Sequence, residues 1–305
     1  MQESSSKRNM ETTNPQSAIR NPQSLFFHLP RTVRMAIYLP FILLLIFLGL
    51  RQIEFMVTYH PLPYIPGPSW TPPANGEDVW INVGGGERVH GWFVRAQTQP
   101  AFATVLLCHG NGGNLTYVAW VAEDLSGRNL DVLIFDYRGY GRSEGKITDE
   151  WGLFADTEAA YDYLIRERGV KVEKLVLYGE SLGTTAAIDV ASRRPCGALI
   201  VESGLSSASD MGVIALPWLP RWLHRLGKNR FESARKIANV KCPVLVTHGT
   251  DDSVIPVEQG RKLFEAAPEP KKVNIVEGGD HNLFGSGGSA YLEQIVGFIR
   301  EAATK

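Results

Sequence analysis

The spacing of hydrophobic positions changes twice along the chain. From Met35 to Leu50 they are almost continuous: MAIYLPFILLLIFLGL lies between Arg34 and Arg51 without a charge, and apolar residues recur from Ile53 to Val57. That approaches the roughly 20 residues a helix needs to cross a bilayer, so a transmembrane signal anchor is expected over residues 35–57. The long segment before it, and the lack of a small-residue cleavage site after it, argue against a removed signal peptide. Next comes HPLPYIPGPSWTPPANG, whose prolines favour an extended linker or a meandering surface segment over residues 58–76. Beyond residue 77 the pattern becomes that of a folded domain. DVWINVG and RVHGWFVRA read as two antiparallel strands joined through Gly84, Gly85 and Gly86.

From Ala103 onward, short β-branched runs alternate with helical patterns. The strands are ATVLLCHG, DVLIFDYRG, KLVLYGE, ALIVESG, CPVLVTHG and KKVNIVEGG. Helices are expected at Leu115–Ser126, Asp149–Arg168, Leu182–Arg193, Val257–Ala267 and Tyr291–Ala302. This order predicts an α/β fold over residues 77–305, with a mostly parallel central sheet and helices on both faces. An irregular insertion at about 206–238 interrupts it, and ALPWLPRWLHRLGKNRF within it carries Trp218, Trp222 and several cations. Three readings stand for the insertion: a lid over acyl chains, an interfacial segment facing lipid, and a cap whose tryptophans pack on the core.

Composition narrows the function. With 305 residues, 44% hydrophobic, 21% charged and a formal net charge of -1, the chain is globular and is not expected to bind nucleic acid. Residues 1–34 form a polar, basic tail expected to be disordered. Lys7, Arg8, Arg20, Arg31 and Arg34 precede the apolar span while Arg51 alone follows closely, which places the N-terminus in the cytoplasm and the domain across the membrane. Cys108, Cys196 and Cys242 are odd in number, lack metal-ligand spacing and lie in or beside apolar runs, so they read as buried free thiols. Neither a metal nor an organic cofactor is called for.

In parallel sheets chemistry gathers at the carboxyl ends of the strands. There KLVLYGESLGTT stops a strand at Gly179-Glu180-Ser181-Leu182-Gly183 and continues as a helix, the context in which G-x-S-x-G presents a nucleophile. The glycines permit a backbone too crowded for side chains, so the Ser181 hydroxyl projects above the sheet. A serine needs a base, and the base an orienting carboxylate. His281, in the loop EGGDHNLF after the last strand, is the candidate base, with His224 the downstream rival. Asp252, after CPVLVTHG, is the chosen acid, with Asp251 as local alternative and Glu202 as the acid of the preceding strand, better read as structural. His109-Gly110-Asn111-Gly112-Gly113-Asn114 follows ATVLLC and opens a helix, so its N–H groups can face an anion. No phosphate-loop or dinucleotide pattern accompanies it. The backbone N–H groups of Asn111 and Leu182 are the expected oxyanion donors, and His109 is read as packing.

Taken as an ordered set, LLCHGNGGN, FDYRGYGRSEG, YGESLG, THGTDD and GGDH resemble the α/β-hydrolase superfamily, in particular its membrane-anchored α/β-hydrolase-domain serine hydrolases. The resemblance runs from about Val79 to Ile299. It implies Ser181 as nucleophile, Asp252 as acid and His281 as base, with Asp136 and Arg138 structural. The expectation is a serine hydrolase cleaving esters or thioesters of small-molecule or lipid acyl substrates. An amidase or aminopeptidase, and a non-catalytic tethered interaction protein, are the alternatives.

Overall fold

The computed structural model describes residues 30–303, which divide into two units between Gln52 and Ile53. The polar tail expected over residues 1–34 falls outside the described residues as far as residue 29. Helix α1 (Arg31–Thr58) starts four residues ahead of Met35 and contains Pro40. Its 28 residues span about 42 Å at 1.5 Å per residue, more than the roughly 30 Å of a hydrocarbon core. Among the described residues it is the one helix long and apolar enough to cross a membrane.

The second unit is built on an eight-stranded sheet of order β10-β9-β8-β7-β4-β6-β3-β2. Its strands are β2 (Gly76–Gly84), β3 (Glu87–Val94), β4 (Ala103–Cys108), β6 (Leu130–Phe135), β7 (Leu175–Glu180), β8 (Ala198–Glu202), β9 (Val244–Gly249) and β10 (Lys271–Val276). Every pairing from β6 through β10 is parallel, and β3 runs antiparallel to both β6 and β2. Alternate residues of the central strands feed two cores. Leu106, Leu133, Leu177, Leu199 and Val246 pack under α3 (Glu150–Arg166), α4 (Gly183–Arg193), α6 (Ser233–Ile237) and α7 (Val257–Ala266). Val105, Ile134, Val176, Ile200 and Leu245 pack under α2 (Ala119–Gly127) and α8 (Leu283–Ala303). A strand buried on both faces needs no polar alternation, which is why these runs are continuously apolar. Helix α8, expected from Tyr291, starts at Leu283 and is interrupted at Gly288, with Leu283 and Phe284 already buried.

Two segments differ in character from their composition. The proline-rich stretch makes specific backbone bonds: β1 (His60–Pro61) pairs in parallel with β5 (Gly112–Gly113), Tyr64 N–H donates to the Gly141 carbonyl, and Gly141 N–H donates to Leu62. The glycine loops it touches have backbone groups no sheet neighbour can satisfy, and this segment takes them. The insertion holds α5 (Ala208–Ala215) and a 3-10 turn at Leu223–Arg225 before α6. Its tryptophans are not packed on the core: Trp218 is 76% and Trp222 62% exposed. The exit of the insertion is fastened at Asn229, whose Oδ1 accepts from Tyr59 Oη at 2.7 Å and Glu150 N–H at 2.8 Å, while its own N–H donates to the Glu54 carboxylate.

Glycine is required where α4 leaves the sheet. A Cβ on Gly183 would lie 2.0 Å from the Cys108 carbonyl oxygen, whereas one on Gly297, inside α8, would meet nothing within 4 Å. Gly183→Ala should therefore cost about 3 kcal/mol or more and yield little folded protein. Gly297→Ala should leave stability unchanged or raise it by about 0.5–1 kcal/mol. Thermal unfolding of the two variants beside the parent checks both, and equal melting points would refute the close approach of α4 to β4.

Candidate active site

Ser181 stands between β7 and α4 with φ at +51, a left-handed value that a serine holds only when its neighbours enforce it. They do so at close range. A Cβ on Gly179 would fall 2.5 Å from the Thr184 Cα, so the chain folds back on itself within five residues. Ser181 N–H donates to the Glu202 carbonyl at the end of β8, and the Ser181 carbonyl is capped by Thr184 N–H and Oγ1. The side chain, nearly buried, is left to point above the strand ends.

His281 arrives there from the loop after β10. Its Nε2 is 3.0 Å from Ser181 Oγ, and its Nδ1 is 2.8 Å from Asp252 Oδ2. The second oxygen, Oδ1, accepts from the Val254 and Ile255 N–H groups at 2.9 and 2.8 Å. His248 Nε2 lies 3.2 Å from Oδ2 as well. Burial alone would raise the Asp252 pKa, but the bonds from His248, His281 and the Ile255 N–H outweigh it and hold the carboxyl well below the usual range. Asp252 is thus an anion whose lone pairs are committed, and it fixes the imidazole with Nδ1 protonated and Nε2 free to accept. Asp251 instead faces Thr250 and is exposed. His224 sits in the insertion against Gly212.

The loops carrying Asp252 and His281 are bound to each other and to β8. A Cβ on Gly249 would be 2.1 Å from the Gly279 carbonyl oxygen, and Asp251 N–H donates to that same carbonyl. Ser203 Oγ donates to the His281 carbonyl at 3.0 Å. Glu202 does not reach His281. Its carboxyl accepts from Tyr178 and Tyr291 hydroxyls and from the Leu283 N–H, so it braces the base loop from beneath.

The Asn111 loop lies alongside the serine: a Cβ on Gly110 would be 3.4 Å from Ser181 Cβ. Among the described residues neither the Asn111 nor the Leu182 N–H enters a turn or loop hydrogen bond with another backbone carbonyl. The Asn111 side chain is clamped, with Oδ1 accepting from His60 N–H at 2.9 Å and Tyr140 Oη at 3.1 Å, and Nδ2 lying 2.7 Å from His60 Nδ1. Asp136 Oδ1 accepts from Leu115 N–H and lies 3.5 Å from His109 Nε2, which ties the start of the next helix and the packed His109 together. Arg138 and Asp156 form a bidentate pair at the end of β6. Among the described residues no cluster of side chains suits a metal ion.

Two residues near the site escaped the sequence. His60 clamps Asn111 from a proline-rich stretch that carries no motif. Glu180, the variable position inside G-x-S-x-G, is raised in pKa by burial against the pull of His109 and His281, so it belongs to the same electrostatic neighbourhood. Its type and place gave the one available hint, a carboxylate beside the nucleophile.

A family model described as serine aminopeptidase, S33, matches residues 99–236. The human alpha/beta hydrolase domain-containing protein 17B is 34% identical over 220 residues, 71% of this chain and 72% of that protein. Among solved structures, a Pyrococcus furiosus esterase superposes with a TM-score of 0.63 at 20% identity, covering 80% of this chain and 98% of that one. A Paleococcus ferrophilus monoacylglycerol lipase gives 0.55 at 21% identity, over 70% and 99%.

Burial and the neighbouring Glu180 push Glu202 up from 4.5 to about 8. Its contribution to stability is then fully present below pH 4.5 and is lost as the pH climbs through about 8, because the native state keeps a proton that the unfolded chain has released. Glu202→Gln should flatten the decline of melting temperature across that window relative to the parent. A variant slope equal to the parent's would mean that Glu202 is ionised in the fold.

Proposed function

The chain belongs to the α/β-hydrolase domain family, and from that premise we propose that it is a membrane-anchored serine hydrolase cleaving carboxylic esters or thioesters through an acyl-enzyme. The observation that carries the proposal is the continuous relay from Ser181 Oγ through His281 to Asp252, at 3.0 and 2.8 Å, on a serine held at a left-handed turn. In this reading His281 Nε2 takes the Ser181 proton as Oγ attacks the carbonyl carbon, and Asp252 stabilises the imidazolium through Nδ1–H. The Asn111 and Leu182 N–H groups receive the oxyanion. His281 then protonates the leaving group, and water repeats the sequence to release the acid.

The substrate reading rests on the insertion. Trp218, Trp222, Ile214, Leu216 and Leu226 are exposed beside Arg221, Arg225 and Lys228. Apolar and aromatic side chains interleaved with cations suit a lipid–water boundary, and with α1 as the anchor this favours acyl-chain substrates met at a membrane. The flanking charges favour an N-terminus in the cytoplasm and the hydrolase unit on the opposite side. Amide hydrolysis is the second reading, favoured by the family model's aminopeptidase description. Turnover of matched ester and amide substrates separates the two.

A membrane-impermeant fluorophosphonate should label the parent in intact cells, and Ser181→Ala, checked for folding, should not be labelled. Ester turnover should fall by about 10⁴-fold in Ser181→Ala and by about 10³–10⁴-fold in Asp252→Asn. Labelling that survives Ser181→Ala would move the nucleophile elsewhere, and labelling only after lysis, with the hydrolase unit cut by protease in sealed vesicles from the cytoplasmic side, would reverse the proposed orientation.

Replacing Trp218 and Trp222 together with serine should lower turnover of long-chain esters in vesicles by roughly tenfold and leave a soluble short-chain ester untouched. An equal loss on both substrates would make the pair structural and remove the support for a lipid substrate.

A further inference from the structure

Cys196 and Cys242 are 46 residues apart, yet their sulfurs lie 3.2 Å from each other. The two residues stand just ahead of β8 and β9, neighbouring parallel strands in which Leu199 is paired with Val244. The backbone around them is held. Pro195 accepts from Tyr161 Oη at 2.7 Å, Gly197 N–H donates to Leu175, Leu199 N–H donates to Pro243, and Val240 N–H donates to Ile237. A disulfide has its sulfurs about 2.05 Å apart, so a side-chain movement of roughly 1 Å closes the bond without moving either strand.

The pair is also reachable. It lines a cleft of about 350 Å³ together with Ser192, Arg193, Arg194, Asn239 and Lys241. Cys196 is partly exposed and Cys242 is buried but lines the same cleft, whereas Cys108 is sealed in the core of the sheet. Arg193 and Arg194 of the cleft are paired with Asp189, Glu158 and Asp162, and the hydrogen bond with Cys242 together with burial pushes the Cys196 thiol up, so it is the closeness of the two sulfurs that favours the bond.

We propose that Cys196 and Cys242 form an intramolecular disulfide, made by exchange with a small disulfide such as oxidised glutathione. One thiol of the pair, as thiolate, attacks a glutathione sulfur, breaking that S–S bond and releasing one glutathione. The other, once deprotonated, attacks the protein sulfur of the mixed disulfide and releases the second. Two protein thiols lose two electrons, the glutathione disulfide gains them, and the two protons pass to the departing glutathione thiolates. The closed loop contains β8 and the whole insertion with Trp218 and Trp222, so the bond would tie the two roots of that insertion together. It restricts the unfolded chain more strongly than a short loop would. The inference does not depend on the proposed hydrolysis, since the pair lies at the amino ends of β8 and β9 and Asp252 lies beyond the carboxyl end of β9.

The test uses the full chain in detergent, equilibrated with graded ratios of reduced and oxidised glutathione, then denatured and alkylated. Intact mass and unreduced peptide maps should show two thiols protected together, a Cys196–Cys242 cross-link and Cys108 alone alkylated. The oxidised form should melt about 5 °C or more above the reduced form. Cys196→Ser and Cys242→Ser should each lose the cross-link and the gain in melting point, and the parent measurement stands even where one of them folds poorly. Three alkylated thiols at the most oxidising ratio, a lone glutathione adduct without cross-link, or a bond involving Cys108 would each overturn the proposal.

Discussion

The first turn of α4 lies against the end of β4 at a distance that leaves no room for a side chain at Gly183, and the site depends on that contact. Because the helix starts there, the chain must reverse between Gly179 and Gly183, and Ser181 is the residue left at the apex with a positive φ. The strain is local and small, of order 1–3 kcal/mol. It is held by the Ser181 N–H bond to Glu202 and by the Thr184 caps on the Ser181 carbonyl. The same contact brings the loop that follows β4 beside the serine, so one packing constraint sets both the hydroxyl and the Gly110 backbone next to it.

Asp252 and His281 are placed by a second close approach, between Gly249 and the carbonyl of Gly279. It joins the loops after β9 and β10, and the bond from Ser203 to the His281 carbonyl adds β8. Beneath them Glu202 bridges Tyr178, Tyr291 and the Leu283 N–H. A carboxyl kept protonated can donate as well as accept, which suits a bracket among hydroxyls better than a buried anion would. Asp252 is treated oppositely: its oxygens meet N–H donors and imidazoles, so it stays charged. Two carboxyls at the ends of adjacent strands therefore take different protonation states from different neighbours.

Much of this was readable in the sequence because it is local or ordered. The runs of Val, Leu and Ile gave the strands, G-E-S-L-G gave the turn, and the order of Ser181, Asp252 and His281 left few residues to choose from. The structure puts Asp252, and not Asp251, against His281 because the Val254 and Ile255 N–H groups draw it inward, a preference that two adjacent aspartates do not reveal. What stayed hidden lies in long-range contacts with no periodic trace. Cys196 and Cys242 are neighbours only because β8 and β9 are. Trp218 and Trp222 look like core residues by type and are exposed because the insertion carries them on short helical turns off the sheet. His60 reads as part of a proline-rich connection, since nothing in its own stretch signals the glycine loop it pairs with.

That last pairing bears on where the hydrolase unit begins. Composition changes near residue 77, where alternation of strands and helices sets in. Bonding changes earlier. Glu54 accepts from Asn229, Tyr59 reaches the same side chain, and His60 holds Asn111 beside the serine. Residues from Ile53 onward, the last six of α1 included, cluster with the sheet. The segment leaving α1 is therefore part of the scaffold of the proposed oxyanion loop, and the end of the helix is fastened to the root of the insertion through Asn229. In such an arrangement a change in how Ile53–Tyr64 is held reaches the Asn111 loop through two hydrogen bonds, without passing through the sheet. The chain from Glu54 to Tyr64 and the Asn111 loop belong to one bonded scaffold, which a boundary drawn from composition alone would cut in two.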